Sequence, residues 1–274
     1  MRVAVLISGR AARYEVCLYD ILQKRKYDYD LFISVNDKPG KYYSSMAHKL
    51  SPWIKGLEVS PYTVPEDFEN DNPKSIKQLV NGKFVPLNVM SMFYNDKKAF
   101  NMATSYADEN EFEYDAYVKY RSDIMVDDFP TIIKSDEYKI YSAIPPCDFE
   151  VPIVNREVNR YTELVPIVCD AVAYGNRRSM EAYCDTYNYV LEMNNLMTEY
   201  LLNFEPCLTQ SVYDKRVPVE RFNYPYKLDG NRRIFDTVWA ESGDSRVDNI
   251  RGSHPPINSN DFESTEHIHK FPTA

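Results

Sequence analysis

The sequence predicts an α/β fold with a central mixed, mostly parallel sheet flanked by helices. Three observations carry this reading. Val3–Ile7, Leu31–Val35 and Ala116–Tyr120 are short, mostly apolar runs of the kind buried on both faces of a parallel sheet. Between the first two runs, Tyr14, Leu18, Ile21 and Leu22 fall on one face at helical spacing, and the charged QKRKYD stretch closes that helix. Strand, helix and strand in this order form a right-handed parallel unit. At 274 residues the chain is long enough for one such domain with a substantial core.

Each element follows from its local pattern. Val3–Ile7 ends in Ser8-Gly9-Arg10, a turn where backbone can approach a ligand, and Leu31–Val35 ends at Asn36-Asp37. From Lys38 to Pro86 the pattern weakens to a loop-rich connection with one short strand near Leu57–Val59. Ser91 can cap a helix reaching Ala107, with Met92, Ala99, Phe100, Ala103 and Tyr106 as its apolar face. Asn95 and Lys98, three apart on a neighbouring strip, can point the same way. After the strand Ala116–Tyr120 come expected strands at Tyr138–Ile144, halted by Pro145-Pro146, and at Val165–Ala173, with Asp170 inside an apolar run. Helices are expected from Arg177 to Leu191, with a core face of Met180, Tyr183, Tyr187, Val190 and Leu191, and from Leu196 to Asp214. A late strand is expected at Val217–Phe222. Residues 1–240 form the expected domain, and residues 241–274 a polar, Pro-bearing tail lying along the surface or disordered.

Composition excludes several classes. A net charge of -9 argues against a protein that coats nucleic acid, so any phosphate site must be local. Five scattered cysteines without a CxxC pair suit reduced thiols better than disulfides or zinc. Only 8 glycines are present, and neither GxGxxG nor GxxxxGK[ST] occurs, so a Rossmann or P-loop nucleotide site has no support. The 23 tyrosines suit packing and also stacking on sugars or bases. The amino-terminal apolar run is too short for a membrane span and lacks a signal-peptide pattern; a soluble, cytoplasmic chain is expected. His254, His267 and His269, in the polar tail, are assigned no role.

The chemistry gathers at strand ends, where ligands of open α/β sheets collect. Gly9 and Arg10, Asn36 and Asp37, and the Arg121-Ser122-Asp123 turn are expected at one edge of the sheet. Arg10 and Arg13 can neutralise a diphosphate, Asn36 or Asp37 can bond base or ribose, and Asp123 beside Arg121 can hold a divalent ion that bridges phosphates. Blander readings stand beside these: Arg121 and Asp123 merely pairing in a surface turn, Arg10 and Arg13 as solvated charges, Asn36-Asp37 as a plain turn.

The ordered set of an SGR turn after the first strand, an acidic end on the second, a helix carrying NDKK, and then YDAYVKYRSD resembles nucleotide-sugar glycosyltransferases of the GT-A fold. In particular it resembles the capsid-glycosylating enzymes of chloroviruses, the large algal DNA viruses, and more distantly bacterial surface-polysaccharide transferases with a similar R-x-D strand end. The likeness covers roughly residues 1–228. It implies a GT-A-like single domain and a metal-dependent glycosyltransferase that moves a sugar from a nucleoside diphosphate donor, UDP-sugar before GDP-sugar, to a hydroxyl. The implied acceptor is a glycan of a viral major capsid protein, and the implied compartment is the host cytoplasm.

In that family the strand-end motif is usually D-x-D, whose last acid holds manganese or magnesium. Asp123 matches that acid, whereas Arg121 stands where the first acid would be. Ser8, Gly9, Arg10, Arg13, Asn36, Asp37, Asn95, Lys98, Arg121 and Ser122 are the residues expected to hold the nucleotide-sugar. The segment CDAVAYGNRRSM matches an acid followed by Tyr-Gly, which implies Asp170 near the acceptor or donor sugar, and Glu205 before Pro206 matches a later acid. An inverting transferase needs one carboxylate to take the acceptor proton, so Asp170 and Glu205 are the two candidates. Asp170 can alternatively cap a turn or pair with Arg177 or Arg178, and Glu205 can be a solvated helix residue. A retaining enzyme would need no such base. The rival readings are a nucleotidyltransferase, which favours a Gly-rich basic loop that this chain lacks, and a catalytically inactive carbohydrate-binding or capsid-assembly protein.

Overall fold

The computed structural model describes residues 1–10, 18–36, 50–60, 86–121, 124–145, 149–155, 160–192 and 204–228. Among them, β1 (Arg2–Arg10), β2 (Asp28–Asn36), β3 (Ile54–Ser60), β4 (Ala116–Tyr120), β6 (Ile140–Ala143), β9 (Val172–Gly175) and β10 (Val219–Phe222) form one seven-stranded sheet. Its order is β10-β6-β9-β4-β1-β2-β3. Every neighbouring pair is parallel except the two made by β9, which runs antiparallel to both β4 and β6. This is the mixed, mostly parallel sheet expected from the sequence. Two small ladders lie outside it: β5 (Ile124–Met125) with β11 (Lys227–Leu228), and the hairpin of β7 (Glu150–Asn155) and β8 (Arg160–Pro166).

Strand alternation sorts the core into two layers. On one face Ala4, Leu6, Phe32 and Tyr117 pack beneath Phe93, Ala99, Phe100 and Ala103 of the long helix α2 (Pro86–Glu109). On the other face Val3, Val5, Ile7, Leu31, Ile33 and Val35 meet Leu18, Ile21 and Leu22, the last two from the short helix α1 (Tyr19–Gln23). Both faces being covered explains why these strands read as continuous apolar runs.

Helix α2 starts at Pro86, before the expected cap at Ser91. Proline is well suited to a first turn, where its missing N–H costs nothing. Ser91 instead sits buried inside the helix, its carbonyl accepting from Asn95 Nδ2 at 2.6 Å.

Two other expectations divide. The single strand expected at Val165–Ala173 is the end of β8, a non-strand segment, and the start of β9. An apolar run of this length does not distinguish strand from buried coil. Here the N–H groups of Val168 and Cys169 go to side chains instead of to a neighbouring strand. The helix expected from Arg177 to Leu191 is α3 (Arg177–Cys184) followed by α4 (Thr186–Glu192). The Thr186 hydroxyl donates to the Tyr183 carbonyl at 2.8 Å, a local bond that competes with the helical ladder at the break. Asn176 caps α3, its Oδ1 accepting from the Ser179 N–H at 3.0 Å. Of the last expected helix, the described part is α5 (Phe204–Asp214). No described helix is long and apolar enough to cross a membrane.

Candidate active site at the carboxyl edge of the sheet

Parallel pairing aligns the strand ends. Gly9 lies opposite Val35 and Arg10 opposite Asn36, so β1 and β2 finish together, with β4 alongside β1. Because β9 is antiparallel, its beginning lies at this same edge: Tyr120 pairs with Val172, and the Arg121 N–H donates to the Ala171 carbonyl at 2.8 Å. The sheet therefore brings Gly9, Arg10, Asn36, Arg121 and Asp170 to one edge. Arg13, Asp37, Ser122 and Asp123 lie outside the described residues.

At this edge Arg121 Nη1 donates to Asp170 Oδ2 at 2.8 Å. The carboxylate is nearly enclosed, with 6 % of its side chain exposed, whereas 21 % of the arginine side chain faces solvent. Asp170 therefore pairs with neither Arg177 nor Arg178, the partners close in sequence. Arg177 is engaged with Asp108 and Glu113 instead, and the Arg178 guanidinium lies 4.5 Å from the Tyr138 ring centroid. Asp170 also precedes β9 instead of standing within a strand, which leaves its carboxylate at the rim.

Two residues before Arg121, within β4, is Lys119. Its ammonium lies 2.5 Å from Asp96 Oδ1, and both donate or accept at the Ser8 hydroxyl. Lys119, Asp96 and Ser8 are 1 %, 3 % and 4 % exposed, so this is a buried ion pair bridged by a hydroxyl. Burial pushes the Asp96 carboxyl above its ordinary range, while the Lys119 charge and the bonds from Lys119 and Ser8 act in the opposite direction. Asp170 adds a smaller upward push on Asp96.

The polar row continues across the sheet beneath α2. Asn95 Oδ1 accepts from the Ser34 hydroxyl at 2.8 Å, and Lys98 is ion-paired with Glu58 of β3. Lys98 also lies 4.6 Å from the Tyr94 ring centroid. Asn95 and Lys98 thus both turn toward the sheet, but Asn95 is 0 % exposed and sits within the packing layer. Ser8 is likewise enclosed. Glu205 is half-buried in the first turn of α5, one helical turn before Thr209 and so on the same face. Thr209 Oγ1 accepts the Val168 N–H at 2.9 Å, which orients that face toward the segment bearing Asp170.

Asp96 and Lys119 were not among the site residues expected from sequence, and Tyr183 was expected only in the core face of a helix. A signal for the first two exists: a lysine inside the buried run AYVKY requires a buried anion, and the preceding helix supplies one in NDKK. Among the described residues no group of three or more His, Cys, Asp or Glu side chains converges on a metal position. The described free cysteines, Cys169, Cys184 and Cys207, are all buried, and burial raises their thiol pKa values, so they behave as core residues.

No family model and no curated protein sequence matches the chain. Among solved structures it is similar to a glycosyltransferase involved in the glycosylation of the major capsid of PBCV-1, at 10% identity and TM-score 0.37, covering 81% of this chain and 82% of that one. It is also similar to galactosyltransferase LgtC in complex with donor and acceptor sugar analogs, at 13% identity and TM-score 0.36, covering 81% and 73%. A third is a nucleoside-diphosphate-sugar pyrophosphorylase from Vibrio cholerae, at 10% identity and TM-score 0.44, covering 86% and 98%. At these identities only the residues of the sheet edge speak to chemistry.

Proposed function

We propose that this chain is a glycosyltransferase that moves a sugar from a nucleoside diphosphate donor, UDP-sugar before GDP-sugar, to a hydroxyl acceptor on a glycan. The resemblance of its strand-end motifs suggests a viral major capsid protein as the bearer of that glycan. One observation carries the reading: a partly exposed cation, Arg121, and an enclosed carboxylate, Asp170, stand in contact at the carboxyl edge of a mostly parallel sheet.

Arg121, with Arg10 and Arg13, receives the diphosphate, for which a planar guanidinium is well matched. Gly9 lets backbone approach the phosphates, and Asn36 or Asp37 would bond base or ribose. Asp170 accepts the proton of the acceptor hydroxyl, with Glu205 as the alternative base. The acceptor oxygen then forms a bond to the anomeric carbon, and the bond from that carbon to the diphosphate oxygen breaks, its electron pair leaving with the diphosphate. Asp123 would hold a manganese or magnesium ion, whose chemistry there is neutralisation of charge on the departing diphosphate. Placing Arg121 where the family has an acid puts part of that neutralisation on the protein itself.

The test is incubation of the purified chain with UDP- and GDP-sugars, with and without manganese. Release of nucleoside diphosphate supports sugar transfer or its slow hydrolytic counterpart. Release or consumption of pyrophosphate identifies a nucleotidyltransferase, and binding without turnover identifies an inactive carbohydrate-binding protein.

A further inference from the structure

Five residues, Ile167–Ala171, connect β8 to β9 and carry Asp170. The segment is apolar and buried, yet its backbone is satisfied from three different elements. The Val168 N–H donates to Thr209 Oγ1 of α5 at 2.9 Å, and the Cys169 N–H donates to Ser142 Oγ of β6 at 2.9 Å. The Cys169 carbonyl accepts from the Tyr183 hydroxyl of α3 at 2.9 Å. At the next residues the Ala171 N–H contacts Cys169 Sγ at 3.3 Å, and the Ala171 carbonyl accepts from the Arg121 N–H at 2.8 Å.

Thr209, Ser142 and Tyr183 are 2 %, 0 % and 2 % exposed, so water does not compete for these bonds. Burial drives the Tyr183 hydroxyl well above its ordinary pKa, with the nearby charges of Asp96 and Asp170 adding to the effect. It therefore stays a neutral donor, and the carbonyl opposite it can only accept. A buried chain without a ladder needs such partners, but a segment that only had to be covered could have been paired as a strand. Here the main chain on both sides of Asp170 is pinned, while its carboxylate reaches the rim and meets Arg121.

We infer that Tyr183, Ser142 and Thr209 are positioning residues that hold the Asp170 carboxylate at the reacting edge; this rests on the role proposed above for Asp170. Proton transfer depends on sub-ångström placement of the base, and a misplacement of about 1 Å can cost about 100-fold in rate. Loss of one hydroxyl relaxes the mount without altering the donor's own contacts. The expected effect is a fall in kcat with donor affinity unchanged.

The experiment measures nucleoside diphosphate release by the full chain for Tyr183→Phe, Ser142→Ala, Thr209→Val and Thr209→Ser, beside Asp170→Asn. Donor affinity is measured separately by calorimetry. Tyr189→Phe serves as the control, since it removes a comparable hydroxyl bond, to Asp214 at 2.6 Å, between α4 and α5. Tyr183→Phe and Thr209→Val should lower kcat by about 10-fold or more at unchanged donor KM, while Thr209→Ser keeps the parental rate. Tyr189→Phe should change stability alone. Parental kcat in Tyr183→Phe and Thr209→Val beside an inactive Asp170→Asn overturns the inference and leaves Asp170 as the base. A drop no greater than that of Tyr189→Phe at equal loss of stability also overturns it. Full activity in Asp170→Asn removes both the base and the mount built for it.

Discussion

Replacing Lys119 by methionine leaves the Asp96 carboxylate buried opposite an apolar side chain of similar length. The pair is 1 % and 3 % exposed on its two side chains, so it belongs with buried ion pairs, not with surface bridges worth under about 1 kcal/mol. Removing one partner of a buried pair costs about 3–5 kcal/mol, a large share of the roughly 5–15 kcal/mol that holds a domain together. For a domain of this size that corresponds to a fall in Tm of about 6–20 °C.

The loss should depend on pH. Burial already raises the Asp96 carboxyl, and Lys119 is the first of the groups that oppose that rise. Without Lys119 the folded state binds a proton at Asp96 more readily than the unfolded chain, whose carboxyl titrates near about 3.9. Stability of the variant therefore falls as pH rises from that value through the raised folded value, by up to about 1.4 kcal/mol per pH unit. Lys119→Met should thus be least impaired in acid and most impaired near neutrality, relative to the parent. Urea unfolding of both proteins between pH 4.5 and pH 8, both of them test conditions set at roughly these values, reads this directly. A companion double change, Asp96→Leu with Lys119→Met, should recover most of the loss, because an apolar pair carries no orphaned charge. A penalty below about 1 kcal/mol at neutral pH, or one that does not vary with pH, would refute the reasoning.

Asp170→Asn should lower nucleoside diphosphate release by about 100-fold or more with donor affinity retained, whereas Arg121→Ala should weaken donor binding in calorimetry; the reverse pattern exchanges their roles. Gly175→Ala should destabilise by about 1–3 kcal/mol in denaturant unfolding, since an added Cβ would meet Ser179 Oγ and stand 2.8 Å from the Lys139 carbonyl. Arg177→Ala, which removes an exposed bridge to Asp108, should change stability by less than about 1 kcal/mol in the same assay, and less still in high salt.

The sequence by itself was enough to locate β1, β2 and β4 and the helix before β4. Strands covered on both faces must be apolar throughout, and a helix lying on one of those faces must repeat its apolar residues every third or fourth position. It was also enough to place Gly9-Arg10, Asn36 and Arg121 at a common edge, since parallel strands end together. Local pattern could not decide which charge meets which. Asp170 has Arg177 and Arg178 close by in the chain, yet pairs with Arg121 across 49 positions, and Ser8 reaches Asp96 across 88. Nor could it show that Ile167–Ala171 is a pinned segment instead of a strand, because burial makes both apolar. The Arg121–Asp170 pair follows from β9 entering antiparallel between β4 and β6, which carries its first residues to the edge where the parallel strands finish. Strand order is a property of the whole packed sheet: an ion pair forms where two distant segments become neighbours, and no short window of residues contains that distance.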